Sequence, residues 1–180
     1  IPEGSVIIDM GVVPQTVNNG LKPYGLVYAL AINEEIPVIW SISPNKDKDG
    51  ADFVVDGREF KGGTFIIEKD YVDLPEVKRI LNGEKGVPIY NEKGKLIKTE
   101  YFGPTIVTRY TTKSDVVVPI YKEIRYFTKW TFDTDNGAIA DGYLGNAGIP
   151  LTARQQALPN ALTACHDIFV LPHADPAWKT

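Results

Sequence analysis

The segment Cys165-His166-Asp167-Ile168-Phe169-Val170-Leu171-Pro172-His173-Ala174-Asp175-Pro176 carries most of what the sequence says about fold. Ile168 to Leu171 form an unbroken apolar run with no polar residue between them. A strand buried on both faces needs such a run, because neither face can tolerate a polar side chain. The Pro, His and Asp residues directly after it suit a site at the carboxyl edge of an open α/β sheet. Two further apolar runs share this character, Val6-Ile7-Ile8 and Val38-Ile39-Trp40. Between them, Leu21 to Glu35 carries apolar residues near helical spacing, with Pro23 in the first turn, where its missing N–H is not needed. Strand, helix and strand over this length predict a βαβ unit, with the last strand lying beside the first two.

The rest of the chain fits around that unit. Asn18-Asn19-Gly20 is a turn, and Asp56-Gly57 predicts a hairpin tip. Thr64 to Ile67 is another buried-type strand, and Pro75 to Asn82 a short helix followed by Gly83. Residues 84–128 are β-rich, with a hairpin loop over 91–95 and strand candidates at Ile106–Thr108 and Val116–Ile120. Lys129 to Asp133 is a strand and Ala138 to Asn146 a helix. The expectation is a single α/β domain over 1–180, with a mainly parallel sheet flanked by helices. Residues 84–128 would be a β-rich insertion or antiparallel edge within it.

Composition narrows the function classes. The 180 residues carry a net charge of −4, with Lys and Arg scattered. A nucleic-acid surface needs clustered positive charge to displace counterions, so no nucleic-acid partner is expected. No apolar run approaches the roughly 20 residues of a membrane helix. A single cysteine, Cys165, excludes an internal disulfide. The start at Ile-Pro-Glu-Gly, without Met, reads as a processed or partial gene product.

Several segments together, NNGLKPYGLVYAL, PVIWSISPNKDKDGADF, KGGTFII, NGAIADGYLGNAGIP and DIFVLPHADP, resemble a domain of large secreted surface proteins of Bacteroidota-type bacteria. That domain is similar to the class I glutamine amidotransferase-like, flavodoxin-type α/β fold. The resemblance implies an extracellular or cell-surface setting. In the amidotransferase-like pattern, a strand ending in Leu-Pro leads on to a nucleophilic Cys at a sharp strand–helix turn. Here the chain stops at Thr180 before any such turn. Either the domain continues beyond Thr180, or it does not carry that chemistry.

Candidate residues follow from spacing. His173 and Asp175, two apart, share a face in an extended segment and would contact a ligand, metal or partner; alternatively Asp175 caps a turn and His173 packs over the sheet edge. Asn19 and Tyr24 would line a crevice near His173, unless Tyr24 and Tyr28, at i and i+4, simply pack. Asn45, Asp47, Asp49 and Asp56 match part of a calcium loop, with Gly50 for the turn. Against it stand Lys46 and Lys48 between the ligands and no flanking helices; the alternative is a solvated turn. Asp133, Asp135 and Asp141 form a second acidic cluster, more simply explained by Asp135 or Asn136 as the N-cap of the following helix. Cys165 precedes its strand, the wrong end for a nucleophile in this fold. No cofactor is implied beyond that calcium. Three functions remain: a noncatalytic module for adhesion, assembly or surface structure, binding other surface proteins or itself; the amino-terminal part of an amidotransferase-like hydrolase; or a calcium-stabilised extracellular module.

Overall fold

A computed structural model describes residues 1–170; His173 and Asp175 lie outside the described residues. In chain order the elements are β1 (Val6–Ile8), α1 (Lys22–Tyr28), β2 (Val38–Ser41), β3 (Phe53–Val55), β4 (Arg58–Phe60), β5 (Thr64–Ile67), α2 (Lys69–Val72) and α3 (Pro75–Leu81). Then follow β6 (Val87–Tyr90), β7 (Leu96–Glu100), β8 (Arg109–Thr111), β9 (Lys122–Ile124), β10 (Trp130–Asp133), α4 (Ala138–Ala147), β11 (Arg154–Ala157) and β12 (Ile168–Val170). Single π-helical turns, Val17–Leu21 and Ala29–Asn33, extend α1 at both ends.

The main sheet has the order β8-β1-β5-β2-β9, and every neighbouring pair is antiparallel. Its side chains alternate between two apolar layers. Val6, Ile8, Val38, Phe65 and Ile67 face Leu26, Val27 and Leu30 of α1 and Val77, Ile80 and Leu81 of α3. Ile7, Ile39 and Ile66 face the β3–β4 hairpin through Phe53, Val55 and Phe60. Each fully buried Ile in this sheet contributes roughly 1.5–3 kcal/mol of transfer free energy. Asp56 and Gly57, at φ 49° and 76°, form the tip of that hairpin, where positive φ matches the strand twist.

The expected mainly parallel, flavodoxin-like architecture is therefore overturned. An unbroken apolar run records cover on both faces, not the direction of the neighbouring strand. Here helices cover one face and a β-hairpin covers the other, so antiparallel strands are buried as deeply as parallel ones would be. The predicted β1–α1–β2 unit is present in part. Both strands run antiparallel to β5 and hence share a direction, but β5 lies between them. Two segments of the 84–128 stretch, β8 and β9, are the two edges of the main sheet. Ile106–Thr108 is not a strand; the Ile106 and Val107 amides close a turn on the Gly103 carbonyl. Val116–Ile120 runs outside any ladder.

Among the described residues, parallel pairing is confined to a separate three-stranded sheet, β11-β10-β12, with α4 as the crossover from β10 to β11. The final apolar run pairs there, with Trp130 opposite Ile168, and not with β1 or β2. Ile168 is 41% exposed, so this strand is not interior. The sheet joins the main body through Tyr28, Ala147, Ile149 and Ala153, with Phe127 and Trp130 packed against them.

The crossing of α1 and α4 depends on Gly25, where an added Cβ would lie 1.9 Å from the Ala147 carbonyl oxygen. Gly25→Ala is expected to cost about 3 kcal/mol or more in urea unfolding. Gly142, inside α4, has nothing within 4 Å of such an atom, so Gly142→Ala should instead stabilise by about 0.5–1 kcal/mol.

Candidate functional site

Asp133 ends the central strand of the parallel sheet, one residue beyond the pairing of Phe132 with Val170 of β12. It is buried, and its Oδ2 accepts from the Asn136 amide at 2.8 Å and from Asn136 Nδ2 at 3.2 Å. Its Oδ1 is buried without a hydrogen-bond partner among the described residues. The acidic trio does not gather. Asp141 pairs with Arg154 at 2.6 Å, while Asp135 is exposed. The residue capping α4 is Gly137, not Asp135 or Asn136, because Asp133 holds the preceding turn. Cys165 lies in an exposed turn, and the His166 ring bonds to Thr163.

Asn19 and Tyr24 are held by local contacts. Asn19 Nδ2 donates to the Pro14 carbonyl at 2.8 Å, and its amide donates to Thr16 Oγ1. Tyr24 stands edge-on to Phe65 with centroids 5.6 Å apart, and partial burial raises its phenol pKa. Tyr28 meets Phe127 in the same way, so each tyrosine packs on its own aromatic neighbour.

The loop from Asn45 is organised by a carboxylate that the calcium spacing does not single out. Asp52 is buried, and it accepts from the Ser43 amide at 2.9 Å, the Gly63 amide at 3.0 Å and Lys46 Nζ at 2.7 Å. A lysine ammonium thus supplies the positive charge at the centre of the loop. Asp49 takes φ 63° in the turn. Asp56 sits at the hairpin tip, where its carboxylate accepts from the Tyr110 hydroxyl. No group of three or more His, Cys, Asp or Glu able to hold a metal occurs among the described residues. Beside the loop opens a cavity of about 480 Å³, with Met10, Gln15, Lys46 and Lys61 in its walls.

Two further charged groups carried no signal in the sequence. Lys22 and Glu100 pair at 2.6 Å with little exposure, tying the start of α1 to the end of β7, and Lys98 pairs with the same carboxylate. Arg109 donates from Nη2 to the Phe102 carbonyl at 2.8 Å, but its Nε and Nη1 are buried and unpartnered among the described residues. Burial lowers its pKa to about 10. The cluster around Asp9 and Arg58 was equally hard to foresee: Arg58 pairs with Asp9 at 2.6 Å and lies over the Phe60 and Tyr110 rings.

The aromatic residues of the β-rich stretch divide into two sets. Phe102, Tyr110, Phe127 and Trp130 pack inward. Tyr101, Tyr121 and Tyr126 are exposed, as are Val117 and Ile120. Val117 and Tyr126 are 96% and 86% exposed. Apart from Tyr101, these lie along 117–126 and flank β9 on both sides. Comparison with protein-family models, curated proteins and solved structures found no match.

Burial alone would raise the Asp52 pKa; the hydrogen bonds from Lys46, Gly63 and Ser43 outweigh it and hold the value below that of an ordinary aspartate. A depressed folded-state pKa stabilises the fold above the unfolded value of about 3.9. That stabilisation is lost as pH falls through the lower folded value. Asp52→Asn should cost about 2–4 kcal/mol at pH 7, since it leaves Lys46 without its counter-charge, and should flatten the acid limb of stability against pH. Urea unfolding of both proteins from pH 7 to pH 2 checks both effects.

Proposed function

We propose that this domain is a noncatalytic module of a secreted or cell-surface bacterial protein, used for adhesion, assembly or surface structure. The observation that carries the reading is the row of exposed apolar side chains, Val117, Ile120, Tyr121 and Tyr126, along the β9 edge of the main sheet. Burying such groups against a partner returns the free energy that exposure withholds. Tyr is favoured for this role because it brings large contact area at low entropy cost. The β9 strand itself carries Lys122 and Glu123, followed by Arg125, which pairs with Glu123 at 2.6 Å. Charges on a short edge discourage indiscriminate strand pairing, so contact falls to the flanking side chains. The extracellular setting rests on the resemblance of the five quoted segments to surface-protein domains.

A hydrolase reading has one observation in its favour. β10 and β12 pair in parallel, and the buried Asp133 carboxylate stands at the carboxyl end of β10. The parent gene past Thr180 tests it: a Cys on a Gly-flanked elbow supports it, while a linker or stop codon removes it.

The first reading predicts concentration-dependent self-association, or binding to a second surface protein, in analytical ultracentrifugation. Val117→Asp with Tyr126→Asp should weaken it about tenfold or more without lowering the melting temperature, since both side chains are exposed. A protein that stays monomeric and binds neither itself nor a surface protein of its source would contradict it.

A further inference from the structure

Strand β8 is an edge, and its register against β1 decides which way its side chains point. Arg109 lies opposite Ile8, and Thr111 opposite Val6. Partners across an antiparallel pair share a face, so both point toward the helix layer, where Val6 and Ile8 pack. Tyr110, between them, points the other way and meets Phe60. The helix side of this edge opens into a cavity of about 430 Å³. Its apolar walls include Val72, Leu81 and Pro104. Its polar lining includes Lys78, Arg109 and Thr111.

The charge balance of the cavity is uneven. No carboxylate pairs with Arg109 among the described residues. Its Nε and Nη1 atoms, which carry three of the five guanidinium N–H donors, are buried without partners. A buried charge left unpaired is costly, and a protein retains one where something outside the chain supplies the counter-charge. Lys78 pairs with Asp73 at 2.9 Å, but Lys69 shares that same carboxylate at 2.5 Å, so the pair does not neutralise both ammonium groups. Asn82, on the same wall, directs its amide to Glu84 at a long 3.4 Å.

We propose that this cavity binds a small organic carboxylate, with its head drawn to Arg109 and Lys78 and its apolar body against Val72, Leu81 and Pro104. The apolar walls favour a ligand with a hydrocarbon body over inorganic phosphate, which has none. Arg109 reaches the head by turning its guanidinium away from the Phe102 carbonyl, exchanging one neutral hydrogen bond for charge-assisted ones. Thr111, on the exposed rim, offers its hydroxyl.

The test uses the whole chain labelled with ¹⁵N and follows the Arg109 Nε–H resonance. Sodium 4-methylpentanoate is titrated in, with sodium phosphate and sodium chloride at matched ionic strength as the comparison arms. The expected result is a saturable shift with 4-methylpentanoate and none with chloride. Calorimetry should show affinity falling about tenfold or more in both Arg109→Gln and Thr111→Trp. Thr111→Trp blocks the cavity mouth from an exposed position and leaves the guanidinium in place, so it decides the matter if Arg109→Gln fails to fold. The proposal is overturned by an unresponsive Arg109 resonance, by undiminished binding in Thr111→Trp, or by phosphate binding as tightly as the carboxylate.

Discussion

The main sheet of this protein exists because its strands are covered twice. Ile7, Ile39 and Ile66 point into one apolar layer, while Val6, Ile8, Val38, Phe65 and Ile67 point into the other. Remove either cover and the side chains of that face meet water. The hairpin that closes one face and the helices that close the other are thus not accessories to the sheet; they are the condition for its apolar strands. The ion pairs then pin the covering elements in place. Asp9–Arg58 ties the hairpin to β1, and Lys22–Glu100 ties α1 to β7.

The same double cover explains how far the sequence could be read. Strand positions were legible at Val6–Ile8, Val38–Ser41 and Thr64–Ile67, because a buried strand writes itself as an apolar run. The hairpin at Asp56-Gly57 and the helix at Pro75 were legible from local turn and cap chemistry. Strand direction was not legible. With both faces apolar there is no alternation to distinguish a sheet layered by helices on both sides from one layered by a helix and a hairpin. The partner that decides it, β5, enters between β1 and β2 from far along the chain, and nothing near Val6 or Val38 announces it.

The candidate sites were less legible still. The spacing of Asn45, Asp47, Asp49 and Asp56 drew attention to this loop but not to Asp52. Asp52 is the residue the loop is built on, and its only local sign is a carboxylate placed directly before an apolar strand, with Gly62-Gly63 later in the chain to receive it. Arg109 gives no sign at all, since an arginine on an edge strand is ordinary and its isolation arises from residues distant in sequence. Seven aromatic residues crowd the stretch 101–130. Which of them pack inward depends on partners distant in sequence, and the course of 116–121 is held by the Tyr121 amide on the Trp40 carbonyl and by Ser41 Oγ on the Pro119 carbonyl.

The central claim is that β5 lies antiparallel between β1 and β2. Cross-strand Hα–Hα and amide contacts in a nuclear Overhauser spectrum of the labelled protein test it most directly. The account predicts contacts that follow the pairings Val6 with Ile67, Ile8 with Phe65 and Ile39 with Ile66, and none directly linking the backbones of β1 and β2. Backbone contacts running in parallel register from Val6–Ile8 to Val38–Trp40, with Thr64–Ile67 elsewhere, would contradict it.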